Sequence, residues 1–561
     1  MTRSARQQLP IWLCAALLLV TACGPAQEPD DEFVAEDPGE ADAEVAEDEP
    51  ASDAGDPDDG DAPEDDADAG EEPTGDDLNV YLYQSFQSFS PLEPLHGPNQ
   101  LAQQLVHDNL VNVDGAFEYI PRLASDWEVS EDGTSWTFKL LRDAEWSDGE
   151  PFTADDVVFT YELLANAEAG SAQAGRLADA IGFSAPDDHT FVVELAEPNS
   201  GFLAQIAGPY FFILPEHVLG DVPVEEIADH EYFQEPTATI GPFSYVEYAP
   251  DQYLEVTRNE RFREEVDVEN VFLMEVTSDV ATAQLESGEI DLVQLSPTDM
   301  ERVEGLGGVT VESMPSAGPL VLVPTDEQEL MGDPRVRQAF MHAVDRQGII
   351  DQVLAGEAEI LNTHFLSDWA LPDDLVEYDY DPERARGLLE DAGWDFDQTV
   401  RINIIPGTRD RDQAAEIVQG QLTEIGVQAE IVQLQEGPFV EALEARDFDT
   451  IVSGGGQYAV DPHSVNGVLA CDQFFPTGGN TTHWCNEDFD ALMDAGRQET
   501  DEDERVRIYQ DAARLVNAEA PYIWLYVPNT IWAYSDRLEG FLPHGDFGNG
   551  FWNAAEWSVS D

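Results

Sequence analysis

The residues able to do covalent or metal chemistry are few and scattered. The 561 residues include ten His and four Cys. No H-E-x-x-H, G-x-S-x-G or Walker A run occurs, so the spacings that build a zinc site, a nucleophile elbow or a phosphate loop are missing. Cys471 and Cys485 flank a stretch rich in Gly, Thr and Asn that also holds His483. Two Cys and one His without a fourth ligand make a poor zinc site. In an exported chain such a pair reads as a disulfide. A nickel site drawing on His364, His463 or His483 has no two histidines at ligand spacing. The 117 Asp and Glu read as solvated surface, with no pair set apart for glycoside hydrolysis. These residues favour recognition over catalysis. No cofactor or resident metal is expected, and a secreted hydrolase is the rival from another class.

Cys23 has a different chemistry. Arg3 and Arg6 precede an uncharged apolar run at 11–20, then Thr21, Ala22 and Cys23. The order resembles the signal peptide and lipobox of a bacterial lipoprotein. It implies removal of 1–22, lipid on Cys23, and anchoring to the outer face or periplasmic side of a cell membrane. The run is short for a bilayer span, and no later run of about 18 apolar residues follows. Half of the residues at 28–77 are acidic and none is basic. Such a segment buries too little apolar surface to offset chain entropy, and like charges extend it. Residues 23–77 are therefore expected to be a disordered tether; an acidic interaction tail is the other reading.

The formal net charge is −93, and Lys139 is the only lysine. The tether holds a minority of the acids, so the folded part is acidic too. Such a chain repels itself at low salt, a cost that screening removes, so a salt-rich habitat is the simplest inference. Without a basic patch, nucleic acid is excluded as a partner.

The elements that must position any site are of both kinds. Residues 79–83 alternate as a first strand, and 127–140 alternate around a Gly133 turn as a hairpin. Thr153 begins a helix of capping-box type. Asp333-Pro334 and Asp381-Pro382 each place an N-cap before a proline at the first helical position, with Gly393 as a C-terminal stop. Another apolar stripe runs through Val506, Tyr509, Ala513 and Val516, and 521–527 reads as a buried strand. Trp136, Trp146 and Trp394 are assigned to the core. The body is too long for a single core, so two mixed lobes are expected.

The block from Pro121 through Trp127, Gly133 and Trp136 to Asp148-Gly149-Glu150-Pro151-Phe152-Thr153 resembles the signature of extracellular solute-binding proteins of family 5, the peptide/nickel-type receptors of ABC importers. Ile240-Gly241-Pro242-Phe243 with Arg258-Asn259, then Asp333-Pro334-Arg335-Val336-Arg337, Tyr380-Asp381-Pro382-Glu383 and Ala520-Pro521-Tyr522 follow in the family's order. The resemblance implies an α/β, two-lobed periplasmic-binding-protein-like fold of cluster C, with an extra subdomain in the first lobe. Lobe I would take 78–319, with the insert at about 121–235. Lobe II would take 320–520, and 521–561 would return to lobe I. Two crossings, near Gly318 and Pro521, would act as the hinge.

The resemblance also implies where ligand sits. Relatives that bind peptides place an aspartate for the α-amine four residues before a proline. Aligned on Pro462, that position here is Tyr458, so the usual amine clamp is in doubt. Asp461 is either a substitute or a turn cap. Gly454, Gly455 and Gly456 allow close backbone approach, Gln457 lies beside them, and Phe86, Phe89 and Trp369 fall on segments that line the family's cleft. The expected activity is capture of an oligopeptide or dipeptide by a monomeric receptor that serves an ABC permease and its ATPase subunits. An oligosaccharide receptor of the same fold is the alternative, favoured by the missing aspartate and the aromatics; a nickel-chelate receptor comes after it.

Overall fold

The computed structural model describes residues 77–325, 331–454 and 460–560. The signal segment, Cys23 and the expected tether lie outside them, except that Asp77 already belongs to the first strand, Asp77–Leu82.

A twelve-stranded sheet forms the frame. Its path runs Gln428–Gln433, Thr399–Ile404, Thr450–Gly454, Leu320–Pro324, Ile523–Ser535, Leu292–Leu295, Asp77–Leu82, Asn270–Glu275, Tyr253–Arg258 and Phe243–Ala249. The thirteen-residue strand Ile523–Ser535 belongs to both halves. Its start pairs antiparallel with Leu320–Pro324 and with Ala358–Ile360, and its end pairs with Leu292–Leu295 and Val309–Pro315. The buried strand expected at 521–527 is thus the first part of a longer one. Val309–Pro315 leads into Leu320–Pro324 through 316–319, so two chain segments cross between the halves side by side.

Each half has its own apolar core. Around the first strand, side chains alternate between two faces, as pleating requires: Leu78, Val80 and Leu82 join the cluster of Phe243, Leu254 and Leu273, whereas Tyr81 joins that of Leu285, Val293 and Ala533. The other half packs Val336, Phe340, Leu389, Ile402, Val418, Phe489 and Tyr509 around its strands. A separate four-stranded sheet, Ala124–Val129, Ser135–Leu140, Thr190–Leu195 and Ala180–Asp187, carries a third core with Trp136, Phe138, Trp146 and Tyr161. The expected hairpin is its first pair, with Gly133 at φ +70°.

The helix ends follow the sequence signals. Thr153 accepts from the amide of Asp155 while Asp156 reaches back to the Thr153 amide. Asp333 and Asp381 cap Pro334–Ala343 and Pro382–Ala392, and Gly393 takes the left-handed C-cap. Cys471 and Cys485 are bonded. Trp136, Trp146 and Trp394 are buried.

Candidate ligand-binding site

In open α/β sheets, ligands gather where strands end at a switch between units. Here that place is beside the two crossings. On one side, Gly454, Leu320 and Tyr526 form a row across three strands. A Cβ on Gly454 would sit 2.9 Å from Leu320 Cδ1 and 3.6 Å from Arg411 Nη2. Arg411 lies in the first turn of Arg409–Glu424. Protein surrounds it on most sides while water still reaches it, and its Nε has no hydrogen-bond partner. Burial lowers its affinity for the proton, opposed by Asp412 and Tyr526. Burial also raises the pKa of Asp410, and burial with the charge of Asp410 raises that of Tyr526. A half-buried guanidinium with an unused donor is a site for a carboxylate or another planar anion.

On the other side of the crossings, the loop 543–550 folds against them. Thr530 Oγ1 donates to the Gly545 carbonyl at 2.7 Å, and a Cβ on Gly545 would collide with the Pro315 carbonyl. The next residue is Asp546. Its Oδ1 accepts the Gly548 amide at 3.0 Å, and burial pushes its pKa up to about 6, against the pull of that hydrogen bond and of Arg176. Tyr83, at the C-terminal end of the first strand, is pushed up to about 12 by burial, with Tyr81 and Asp546 adding. Tyr210 feels the same Asp546 charge and carries Arg176 stacked on its ring at 4.1 Å. Asp546 is thus a partly exposed acid whose charge reaches Tyr83 and Tyr210.

The residues expected at the site fall in different places. Gly455, Gly456, Gln457 and Tyr458 lie outside the described residues. Gly454 is at the row end described above. Phe86 and Phe89 are 3% and 0% exposed and pack on each other at 4.5 Å, with Tyr248 and Tyr245 closing the cluster; both are turned into the core rather than toward a ligand. Apolar rings gain more from that burial than from a wet cleft wall. Asp461 is a turn cap: its Oδ1 accepts the His463 amide at 2.8 Å, and its Oδ2 pairs with Arg505 Nη2 at 2.7 Å. Its carboxylate is engaged inside the protein and is not a substitute amine clamp. Trp369 is 37% exposed and lies edge-on to Tyr509, with Arg505 5.1 Å over its ring. The charge of Asp461 also raises the Tyr119 pKa, after burial, which places that tyrosine beside the cluster.

The three histidines considered for nickel are apart in their contacts. His364 stacks on Tyr522 at 4.7 Å, His463 follows the Asp461 cap, and His483 meets Arg446. Among the described residues, no group of three His, Cys, Asp or Glu is arranged to hold a metal ion. Arg411, Asp546 and Tyr119 were missed by sequence reasoning. A basic residue in so acidic a chain, at a helix start, was the available signal for Arg411; no local pattern marks the other two.

The architecture is that of two-lobed periplasmic solute-binding proteins. NikZ from Campylobacter jejuni, solved with Ni(L-His), superposes with a TM-score of 0.76 at 24% identity, over 87% of this chain and 100% of that one. AppA from Bacillus subtilis, solved with a nonapeptide, gives 0.73 at 23% identity, over 86% and 99%. A putative ABC transporter peptide-binding protein of Brucella ovis is 30% identical, over 84% of this chain and 90% of the relative. The family described as "Bacterial extracellular solute-binding proteins, family 5 Middle" matches residues 118–473, and the chain belongs to that family. Its members are binding proteins rather than enzymes. Among the described residues, no helix is long and apolar enough to cross a membrane.

Proposed function

We propose that this chain is the lipid-anchored receptor of an ABC importer and captures a short peptide between two lobes. One lobe is the half around the first strand together with the four-stranded sheet. The other is built on Leu320–Pro324 and its neighbours. The hinge is the pair of crossings at 316–319 and 528–529. The second crossing thus falls inside the strand Ile523–Ser535 and later than Pro521. One observation carries the peptide reading: Arg411 and Asp546 flank these crossings from opposite lobes, a cation for a carboxylate and an acid for an ammonium. A peptide main chain ends in those two groups. The names of relatives support the reading, since AppA of Bacillus subtilis is an oligopeptide-binding protein and that of Brucella ovis a putative peptide-binding one.

The test is native mass spectrometry of freshly purified protein, followed by titration calorimetry with di- to nonapeptides. Expected are trapped peptides and binding that weakens when the carboxyl end is amidated or the amine acetylated. Binding of oligosaccharides with none of peptides overturns the reading and moves the weight to exposed Trp369 as a sugar platform.

A further inference from the structure

Away from the crossings, the two proposed lobes touch at a second place. Residues 197–201 follow the strand Thr190–Leu195 of the four-stranded sheet, and Phe202, directly after them, packs in that sheet's core. They meet the end of the helix Glu487–Gln498 and the start of Glu502–Glu519, which pack in the other core through Phe489 and Tyr509. Arg497 Nη1 lies 2.8 Å from Asp179 Oδ2, and Nη2 lies 3.3 Å from Glu197 Oε2. The Asn199 side-chain amide also donates to Asp179 at 3.3 Å. The Ser200 amide and hydroxyl both donate to the Arg497 carbonyl, at 2.8 and 2.9 Å. The hydroxyl is also 3.3 Å from the Gly496 carbonyl, which accepts from Arg505 Nε at 3.2 Å.

The chemistry of this contact is specific. The last carbonyls of a helix have no partner inside it; here the other lobe supplies the donors to the Arg497 carbonyl and shares that of Gly496 with Arg505. Arg497 is 14% exposed and serves two carboxylates from its planar fork. In a chain of net charge −93, such a cation is scarce. Opening returns the carbonyls to water and leaves Asp179 and Glu197 as neighbouring negative charges.

We infer that Arg497 and the segment 197–201 form a clasp that holds the lobes closed, making Arg497 a positioning residue for capture that touches no ligand. The apparent affinity of a two-state receptor scales with the population of its binding-competent form. The clasp therefore sets affinity and release through closure. The inference rests on the proposed two-lobed capture, but its test does not depend on which ligand binds.

The experiment compares full-length wild type with R497A, R497K and the double variant D179N/E197Q. Hydrogen exchange is followed on peptides spanning 197–201 and 496–505, without ligand and with a saturating peptide from the calorimetry panel. R497A is expected to exchange faster in both segments while the cores stay protected. Its dissociation constant should rise about tenfold, the scale of losing about 1.4 kcal/mol of closure, chiefly through faster dissociation. R497K should recover part of the loss, since an ammonium reaches one carboxylate better than two. Unchanged exchange at 197–201 together with unchanged dissociation in R497A overturns the clasp. If R497A fails to fold, D179N/E197Q gives the same readings. If no peptide binds the wild type, the proposed ligand fails, and exchange without ligand still decides the clasp: equal protection in wild type and variant rejects it.

Discussion

At the scale of single residues, two charged groups carry most of the chemistry of the proposed function. Arg411 should act on the ligand's carboxylate. R411A is expected to cost a carboxylate-terminated peptide about 10- to 100-fold in affinity, the range of a hydrogen bond to a charged group, and to leave an amidated peptide nearly unaffected. Calorimetry on the two peptides checks this; equal losses would mean that Arg411 supports the fold rather than the ligand. Burial raises the pKa of Asp546 from the usual carboxylate range to about 6. Its protonated form is therefore favoured by folding. That stability is fully present below the unfolded pKa and is lost as pH rises through 6. D546N removes the titration, so its stability relative to wild type should grow between pH 4 and pH 7.5, by ~1–3 kcal/mol given about 1.4 kcal/mol per pKa unit. Melting curves of both proteins across that range test the sign. The Cys471–Cys485 pair was legible because two thiols in a chain read as exported have few alternatives, and the bond closes 14 residues of separation. Arg411 and Asp546 were hidden because their proposed roles arise only when residues far apart in sequence meet the same crossings.

At the scale of elements, the sequence was most readable where a local rule decides the geometry. Caps at Thr153, Asp333 and Asp381 and the stop at Gly393 each depend on residues within one turn. The strand Ile523–Ser535 was read only in its first part, since the turn-like Val527-Pro528-Asn529 looks like an end. Proline is tolerated there because Pro528 lies where the strand changes partners. The same distinction sorts the aromatics: Phe86 and Phe89 stand near the family's cleft in sequence, but only tertiary packing shows that they face inward. Helix propensity and packing compete openly at Gly496. Alanine is the better helix former by ~1 kcal/mol. Yet a Cβ there would lie 2.6 Å from the Tyr509 ring, forcing Glu487–Gln498 away from Glu502–Glu519. Overpacking of this kind costs about 1–3 kcal/mol, so packing wins, and G496A should lower the urea midpoint. A rise would show that Tyr509 can swing aside.

At the scale of the whole molecule, charge dominates. With a net charge of −93 and 24 basic residues over the whole sequence, the chain works against its own repulsion at low salt. Raising salt from 0.1 to 2 M shortens the screening distance from about 10 Å to below 3 Å, and the melting temperature is expected to climb across that range. A flat or falling trend would remove the inference of a salt-rich habitat. Screening should meanwhile weaken exposed ion pairs such as Arg514 with Asp374, so the climb measures the surplus of repulsion over pairing. The strand Ile523–Ser535 has a further consequence for how the protein is made. It lies between Leu320–Pro324 and Leu292–Leu295, so the frame has a gap at its centre until this strand has emerged. During synthesis both flanking strands present unpaired edges, which invite association between chains. The strands of the two lobes join into one frame only through this strand, and a chain cut short before Ile523 would release two sheets with open sides.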